Sequence, residues 1–221
     1  MLSDPREIEI IAKAVQKNVR DPRRARKPFD TIFADFGLKR RVRGQRLLDL
    51  GPGQFDFAVV ASSYGAAECV GIDMDPAVVE LGCYKKLPTI LGELRNLADI
   101  QLPGPFDGVF CKYSIDAFWF APDERDRHSA HVAAISGALT RAGWSWIAPW
   151  NGGKRAKDLS AAEVKAVLDL QRESFAKAGY EAFELTEELS IRYGVHGVTV
   201  NRPLFTRGLE IPADLRRCLL T

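Results

Sequence analysis

The stretch LLDLGPGQFDF, residues 47–57, decides the fold of this chain. An apolar run stops at two glycines, Gly51 and Gly53, and apolar residues resume at Phe55. Strands followed by such glycines often hold a nucleotide-like ligand, because a glycine has no Cβ and lets the backbone approach that ligand. The stretch therefore predicts a strand, a ligand-binding turn and the start of a helix.

The rest of the chain repeats this alternation of strand and helix. Strands are predicted over residues 46–50, 68–73, 88–91, 106–112 and 144–150. Helices are predicted over residues 55–64, 76–86, 124–142 and 160–179, with Gly143 ending the third. Two more strands, within 180–190 and 197–208, are predicted to join at a turn near Gly194. The pattern implies a doubly wound α/β fold, with a mostly parallel seven-stranded sheet and an antiparallel edge hairpin.

Residues 1–45 precede the first strand and show helical periodicity. Helices are predicted over 5–19 and 29–41, with Asp30 capping the second. The chain is therefore divided into an N-terminal helical extension, 1–45, and a ligand-binding domain, 46–221. We expect the extension to act as a lid or as a substrate or dimer contact.

Composition narrows the class of protein. The 221 residues are 46% hydrophobic and 27% charged, which suits one α/β domain with a full core. No stretch approaches the roughly 18 consecutive apolar residues that span a membrane. The N-terminus lacks the apolar core of a signal peptide, so we expect a cytoplasmic protein. The four cysteines form no CxxC pair, which predicts free thiols.

Charge is distributed unevenly along the chain. The net charge is +2, but residues 1–46 carry 13 Lys and Arg against 6 Asp and Glu. Two basic clusters, at residues 20–27 and 39–43, cause most of this excess. Such clusters suit either a solvated helix face or an anionic partner such as RNA.

The glycine loop disfavours a phosphate-bearing cofactor. The third position of the dinucleotide pattern GxGxxG falls on Asp56, whose charge at the start of a helix would repel a pyrophosphate. A cationic ligand suits the loop better, since Asp49 can meet an amino group just before the glycines. Asp73 ends the next strand, 20 residues after Gly53, where an acid can accept both ribose hydroxyls.

Three segments, LLDLGPG, CVGIDMDP and FDGVFCK, together resemble the class I S-adenosylmethionine-dependent methyltransferases over roughly residues 44–206. The resemblance implies S-adenosyl-L-methionine as the cofactor and an acidic residue that contacts its adenine. For that acid, Glu93 is preferred to Asp99 because it closely follows the apolar TIL, residues 89–91. The cofactor-binding residues implied in this way are Asp49, Gly51, Gly53, Asp73, Met74, Glu93, Leu94 and Cys111.

The acceptor is expected beside the segment after the fourth strand, residues 111–131. This segment combines aromatic and ionisable side chains, which can wall and orient an acceptor. His128 and His131 lie one helical turn apart and are the candidate catalytic bases, because an imidazole titrates near neutrality. No metal site is assigned, since the acids here match no calcium loop. The predicted substrate-binding residues are Lys112, Tyr113, Asp116, Trp119, Trp150 and Asn151.

These observations favour methyl transfer to a small-molecule or sugar acceptor, most simply at an oxygen atom. An RNA methyltransferase is the alternative suggested by the basic clusters, because phosphate contacts need Lys and Arg. A non-catalytic protein that binds a cofactor or a partner is a third possibility, since function does not follow from fold alone. The sequence leaves open the acceptor, the methylated atom, a need for a divalent metal and the oligomeric state.

Overall fold

The computed structural model describes residues 4–14, 21–115, 122–149, 158–195 and 202–220. Within these ranges seven strands form one sheet in the order β3-β2-β1-β4-β5-β7-β6. Strands β1 to β5 pair in parallel, whereas β7 runs antiparallel to both β5 and β6. The predicted mixed sheet with an antiparallel edge pair is confirmed. The strands are β1 (Arg46–Leu50), β2 (Glu68–Asp73), β3 (Thr89–Leu91), β4 (Phe106–Lys112), β5 (Leu139–Ala148), β6 (Glu181–Glu184) and β7 (Pro203–Arg207).

Helices cover both faces of this sheet, and several start at a side-chain cap. Ser160 and Glu163 form the reciprocal capping box that the sequence signature predicts. None of the described helices is long and apolar enough to cross a membrane. The helices are α1 (Pro5–Lys13), α2 (Pro22–Asp35), α3 (Leu38–Arg41), α4 (Asp56–Ser63), α5 (Pro76–Lys85), α6 (His128–Gly137), α7 (Ala161–Lys177) and α8 (Glu187–Tyr193), with 3₁₀ turns at Leu94–Asp99, Pro122–Arg127 and Leu215–Cys218.

The second N-terminal helix starts earlier than predicted. Asp21, rather than Asp30, is the cap, because its side chain accepts the backbone N–H of Arg23 and Pro22 takes the first turn. The helix continues through an internal proline, Pro28, and ends before Gly37, whose φ is +68°. The predicted helix over 29–41 is therefore wrong in its boundaries.

The prediction of one helix over 124–142 is also wrong. A 3₁₀ turn and the shorter α6 occupy its first part, and β5 already begins at Leu139. Leu139 pairs with Phe106, but Trp144 pairs with Gly108, so the ladder between them is irregular. Gly143 lies inside this irregular part of β5 and does not cap a helix.

A helix separates the two edge strands. The segment predicted as one strand over 180–190 ends as a strand at Glu184, and α8 follows with Thr186 as its cap. Two acidic residues in the first turn favour this helix electrostatically. Gly194, at φ +60°, ends α8. β6 and β7 therefore pair as an antiparallel edge without a direct hairpin turn.

The N-terminal helices pack into the same core as the sheet. Phe29 of α2 lies with its ring centroid 5.7 Å from that of Phe110 in β4. Phe110 in turn stacks on Phe57 of α4 at 4.1 Å and on Trp146 of β5 at 4.9 Å. Burial of each such aromatic side chain contributes about 2 kcal/mol. Helix α2 is consequently fixed against the central strands and becomes a wall of any site at their ends.

Candidate functional site

The candidate site lies where the strand order reverses. β1 has β2 on one side and β4 on the other, so the connections leaving β1 and β4 diverge at their carboxyl ends. Open α/β sheets bind ligands in the crevice at this position. The turns after β1, β2, β3 and β4 all reach this edge, and together they carry most of the predicted cofactor residues.

Two hydrogen bonds at Gly51 hold the turn after β1 in place. Gly51 has φ +77° and Gly53 φ +54°, a backbone region that glycine adopts without a steric penalty. The Gly51 N–H donates to the carbonyl of Ile72 at 2.8 Å. The hydroxyl of Ser114 donates to the Gly51 carbonyl at 3.2 Å, and a Cβ on Gly51 would lie 1.9 Å from that hydroxyl oxygen. The close approach of Ser114 therefore requires glycine at position 51.

Sequence reasoning missed Ser114. It lies 63 positions from Gly51, and no local pattern links the two residues. Only the parallel pairing of β1 with β4 brings them together.

Asp73 closes the end of β2. Its carboxylate accepts the backbone N–H of Asp75 at 3.0 Å and is also hydrogen-bonded by the N–H groups of Gly53 and Met74. Burial raises the pKa of Asp73, although these hydrogen bonds favour the ionised form. Met74, next in the chain, is 67% exposed, which leaves an apolar surface available beside the acid.

Asp49 is a buried acid in β1 whose carboxylate is not fully hydrogen-bonded in the described residues. It is 3% exposed, and its Oδ2 has no hydrogen-bond partner in the described part of the chain. Burial raises the pKa of Asp49 well above its usual range, and the charges of Asp73 and Asp56 raise it further. A buried carboxylate in this condition is stabilised by a cation or by donors. The crevice is therefore suited to a positively charged group.

Asp56 occupies the start of α4, as the departure from the dinucleotide pattern predicted. It is the first helical residue and is buried. Arg26 of α2 lies with its Nε 3.6 Å from the Asp56 carboxylate. This ion pair ties the N-terminal helix to the glycine turn, a link that the sequence did not reveal.

The predicted adenine-side residues follow β3. Gly92 donates its N–H to the carbonyl of Asp73 at 3.0 Å. Glu93 is the next residue in the chain and therefore lies close to the end of β2. The Glu93 carboxylate lies 3.5 Å from Nε of Arg95 and is half exposed. Asp99, the alternative acid, is exposed at the far end of the following 3₁₀ turn.

Two other predicted cofactor residues are apolar or weakly polar and point to the core. Leu94 is partly buried against the core cluster on the α6 and α7 side of the sheet, and Cys111 is fully buried within it. Their side chains pack against that layer, so their part in cofactor binding stays a prediction.

On the acceptor side, Lys112 and Tyr113 lie where β4 ends. The Lys112 ammonium lies 4.7 Å from the centroid of the Phe29 ring in α2. Tyr113 has φ +75°, its N–H donates to the Ala148 carbonyl at 3.0 Å, and its hydroxyl donates to the Gly194 carbonyl. A non-glycine residue in this backbone region is strained, and such strain concentrates at functional sites.

The remaining predicted substrate residues lie outside the described residues. They are Asp116, Trp119, Trp150 and Asn151.

The two candidate bases are buried on α6. His131 is 5% exposed, and its Nε2 lies 2.7 Å from Oε2 of Glu124. Glu124 is itself 1% exposed and also lies 3.3 Å from Arg127 and 3.8 Å from Arg95. Burial lowers the pKa of His131 even though Glu124 opposes that shift. His128 is 1% exposed. Both imidazoles are buried in the first turns of α6, so their catalytic role stays a prediction.

Comparison with known proteins supports the fold. No protein-family model matches the chain. The ribosomal protein L11 methyltransferase of Ralstonia pickettii is 39% identical over 66 residues, which are 30% of this chain and 22% of that protein. The match thus spans about a fifth of the length of that curated relative.

Solved structures match over most of the chain. A TehB-like S-adenosylmethionine-dependent methyltransferase from Corynebacterium glutamicum has a TM-score of 0.52 at 20% identity, over 83% of this chain and 88% of that one. Magnesium protoporphyrin IX methyltransferase from Synechocystis PCC 6803, solved with S-adenosylmethionine bound, has 0.51 at 16% identity, over 86% and 84%. The 16S rRNA N2 G1207 methyltransferase of T. thermophilus has 0.51 at 16% identity, over 88% of this chain and 45% of that one.

These matches confirm the predicted fold class and the resemblance to class I S-adenosylmethionine-dependent methyltransferases. The matched proteins are themselves named as methyltransferases, and two of the solved structures hold S-adenosylmethionine. Their named targets are a ribosomal protein, a porphyrin and an rRNA. Proteins with this fold therefore differ in the acceptor, and the acceptor has to be argued from this chain's own residues.

Proposed function

We propose that this chain transfers a methyl group from S-adenosylmethionine to a small-molecule or sugar acceptor, at an oxygen atom. The observation that carries the proposal is the buried Asp49 carboxylate, whose Oδ2 lacks a hydrogen-bond partner in the described part of the chain. It lies at the strand-order reversal, between the glycine turn and Asp73. An acidic crevice suits a cationic nucleoside better than a phosphate-bearing one.

Each cofactor residue has a role in this proposal. Asp49 would hold the amino group, and the backbone at Gly51 and Gly53 would contact the amino-acid part of the ligand. Asp73 would accept the ribose hydroxyls, since backbone N–H groups already orient its carboxylate. The adenine would lie beside Met74 and near Glu93 and Leu94, with Cys111 beneath.

When bound, the cofactor supplies a methyl group activated by a sulfonium, so the protein mainly has to position the acceptor and exclude water. We propose Lys112 and Tyr113 as the wall that does this, because both are held against elements that are distant in the sequence. Asp116, Trp119, Trp150 and Asn151 are the further contacts proposed from sequence.

A hydroxyl acceptor needs a base, and the candidates are His128 and His131. His128 is the first residue of α6 and lies within the acceptor segment, residues 111–131. His131 is hydrogen-bonded to Glu124, so we propose it for orienting this segment as well as for catalysis. Replacing His128 with alanine is expected to lower turnover and to leave cofactor affinity unchanged; full activity of both the His128→Ala and His131→Ala variants would remove the histidines as bases.

Calorimetry and product analysis test the proposal. Titration of the protein with S-adenosylmethionine should give saturable heat, and NAD should give none. Incubation with a metabolite extract and methyl-labelled cofactor should then label a compound of low mass, identified by mass spectrometry. Absence of both cofactor heat and a thermal shift would instead favour the non-catalytic, partner-binding alternative.

RNA methylation is the second candidate, because basic clusters lie in the N-terminal segment. Binding to RNA should then weaken steeply as salt rises, since each neutralised phosphate releases counterions. Label appearing in RNA rather than in small molecules would replace the leading proposal with this one.

A further inference from the structure

The two basic clusters lie at opposite edges of the sheet. α2 has 14 residues and so extends about 20 Å. The middle of the helix reaches the carboxyl edge, where Phe29 contacts Lys112 and Arg26 pairs with Asp56. The cluster after α2 lies at the other edge, because Arg41 donates to the carbonyl of Ala142, near the start of β5. Only the first cluster therefore borders the crevice.

Three cations of that first cluster are exposed and face solvent without acids. We name Arg23, Arg24 and Lys27 the crevice-side patch. Within the described part of the chain none of the three lies within 4.0 Å of a carboxylate, whereas Arg26 beside them pairs with Asp56. Exposed cations of the second cluster also lack a carboxylate within 4.0 Å in the described residues, so its place beside the crevice is what distinguishes the patch. The patch therefore keeps its charge available.

These cations are placed against the helix dipole. They lie in the first two turns of α2, whose first turn has no acidic residue. The amino end of a helix carries partial positive charge, which disfavours the two cations of the first turn, Arg23 and Arg24. The helix dipole therefore does not account for these two cations, whereas a bound anion would offset their charge.

The patch continues the acceptor wall. A Cβ on Gly194 would lie 2.9 Å from Cγ of Pro28 and 3.0 Å from Nζ of Lys112, so these three residues meet at one corner. Arg24 lies four residues before Pro28 and hence on the same face of α2, one turn further along. Lys27 lies on the adjoining solvent-facing side of α2. The basic surface thus runs outward from the corner beside β4.

We propose that the acceptor carries an anionic group, a phosphate or a carboxylate, which the crevice-side patch binds while the methylated atom lies near Lys112. This inference rests on the proposed function. A small anion is favoured over RNA because the three cations occupy little more than one helical turn, and the second cluster, at the opposite edge, does not continue their path.

The test compares two variants with the same change in charge. Arg24→Gln/Lys27→Gln alters the patch, and Lys39→Gln/Arg40→Gln, at the other edge, is the matched control. Both are titrated with inorganic phosphate and with acetate in the presence of S-adenosylhomocysteine, and backbone amide NMR shifts report binding. A parallel titration uses a 12-nucleotide single-stranded RNA.

Wild type and the control variant should bind phosphate or acetate with shifts confined to α2 and the end of β4. The patch variant should bind about fivefold more weakly, as expected for loss of two exposed charge contacts. Phosphate and acetate arms separate the two anion classes. Equal weakening in both variants, no localised anion binding, or RNA binding that both clusters support equally would overturn the proposal. Binding of S-adenosylhomocysteine is measured separately, so a failure of the proposed cofactor site is recognised independently.

Discussion

Two buried acids near the same end of the sheet differ in how the protein satisfies them. Glu124, which is 1% exposed, has His131 at 2.7 Å and Arg127 at 3.3 Å. Asp49, which is 3% exposed, has the acids Asp73 and Asp56 as its charged neighbours, and its Oδ2 has no hydrogen-bond partner in the described residues. The first acid is satisfied within the chain and stabilises the fold. The second has no such partner among the described residues, and we propose that the bound cofactor supplies one.

Gly51→Ala is expected to have the largest effect on cofactor affinity, because it alters the turn that follows Asp49. The added Cβ would lie 1.9 Å from Oγ of Ser114, and a φ of +77° strains any residue with a side chain. The turn must shift, so we expect affinity for S-adenosylmethionine to fall by about a hundredfold or more, on the order of 3 kcal/mol. Calorimetry measures the loss.

A double variant separates the two causes. Ser114→Gly removes the clashing hydroxyl, so Gly51→Ala/Ser114→Gly should regain part of the affinity but retain the backbone penalty. Unchanged affinity in Gly51→Ala would show that this turn does not contact the cofactor.

Asp49→Asn tests the contrast between Asp49 and Glu124, because it replaces the carboxylate whose Oδ2 has no hydrogen-bond partner in the described residues. Affinity for S-adenosylmethionine is expected to fall roughly tenfold to a hundredfold, as for a lost charge-assisted hydrogen bond. Without ligand, the variant should be more stable than wild type near pH 7. Stability gained without loss of binding would contradict the assignment of the amino group to Asp49.

The pH dependence of the ligand-free protein has a defined sign. The folded-state pKa of Asp49 is raised above its unfolded value, so the folded state binds more protons between the two values. The contribution to stability is therefore full below the unfolded pKa near 4 and is lost as pH rises through the folded pKa. Urea unfolding across this range should show that loss in wild type and not in Asp49→Asn.

Asp73→Ala is expected to weaken cofactor binding by more than tenfold, about 1.4 kcal/mol or more. Its carboxylate is the proposed ribose contact, and it accepts the N–H groups of Gly53 and Met74. Asp73→Asn, which keeps the shape, should lose less. An unchanged dissociation constant in Asp73→Ala, measured by calorimetry, would remove the ribose assignment.

The turns that carry the proposed cofactor residues were predictable because their sequence signals are local. Gly51 and Gly53 are specified by the backbone angles of one turn, and Asp49 and Asp73 by their places at the ends of neighbouring parallel strands. Strand alternation then sufficed to predict the sheet. The prediction failed for short segments whose residues favour neither helix nor strand, such as the helix expected to end at Gly143.

The rest of the candidate site was not predictable because its contacts span the chain. Phe29 meets Lys112, and Glu124 meets His131 in a buried position that helical spacing alone does not reveal. The sequence showed that His131 lies one turn from His128, but not that burial would engage it with an acid. The three-dimensional neighbours are needed to distinguish an acid that is paired within the chain, such as Glu124, from one that is proposed to bind the cofactor, such as Asp49.

The smallest effect on binding is expected at the satisfied acid. Glu124→Gln and His131→Gln should each lower the free energy of unfolding by roughly 1–3 kcal/mol, because a buried charged hydrogen bond is weakened, while cofactor affinity changes less than about twofold. Burial lowers the folded pKa of His131 below its unfolded value, so its contribution to stability is present above about pH 6.5 and is lost as pH falls through the folded pKa. His131→Gln should abolish this acid-side loss in denaturant titrations. A large drop in cofactor affinity at unchanged stability would place Glu124 in the binding crevice and break the contrast with Asp49.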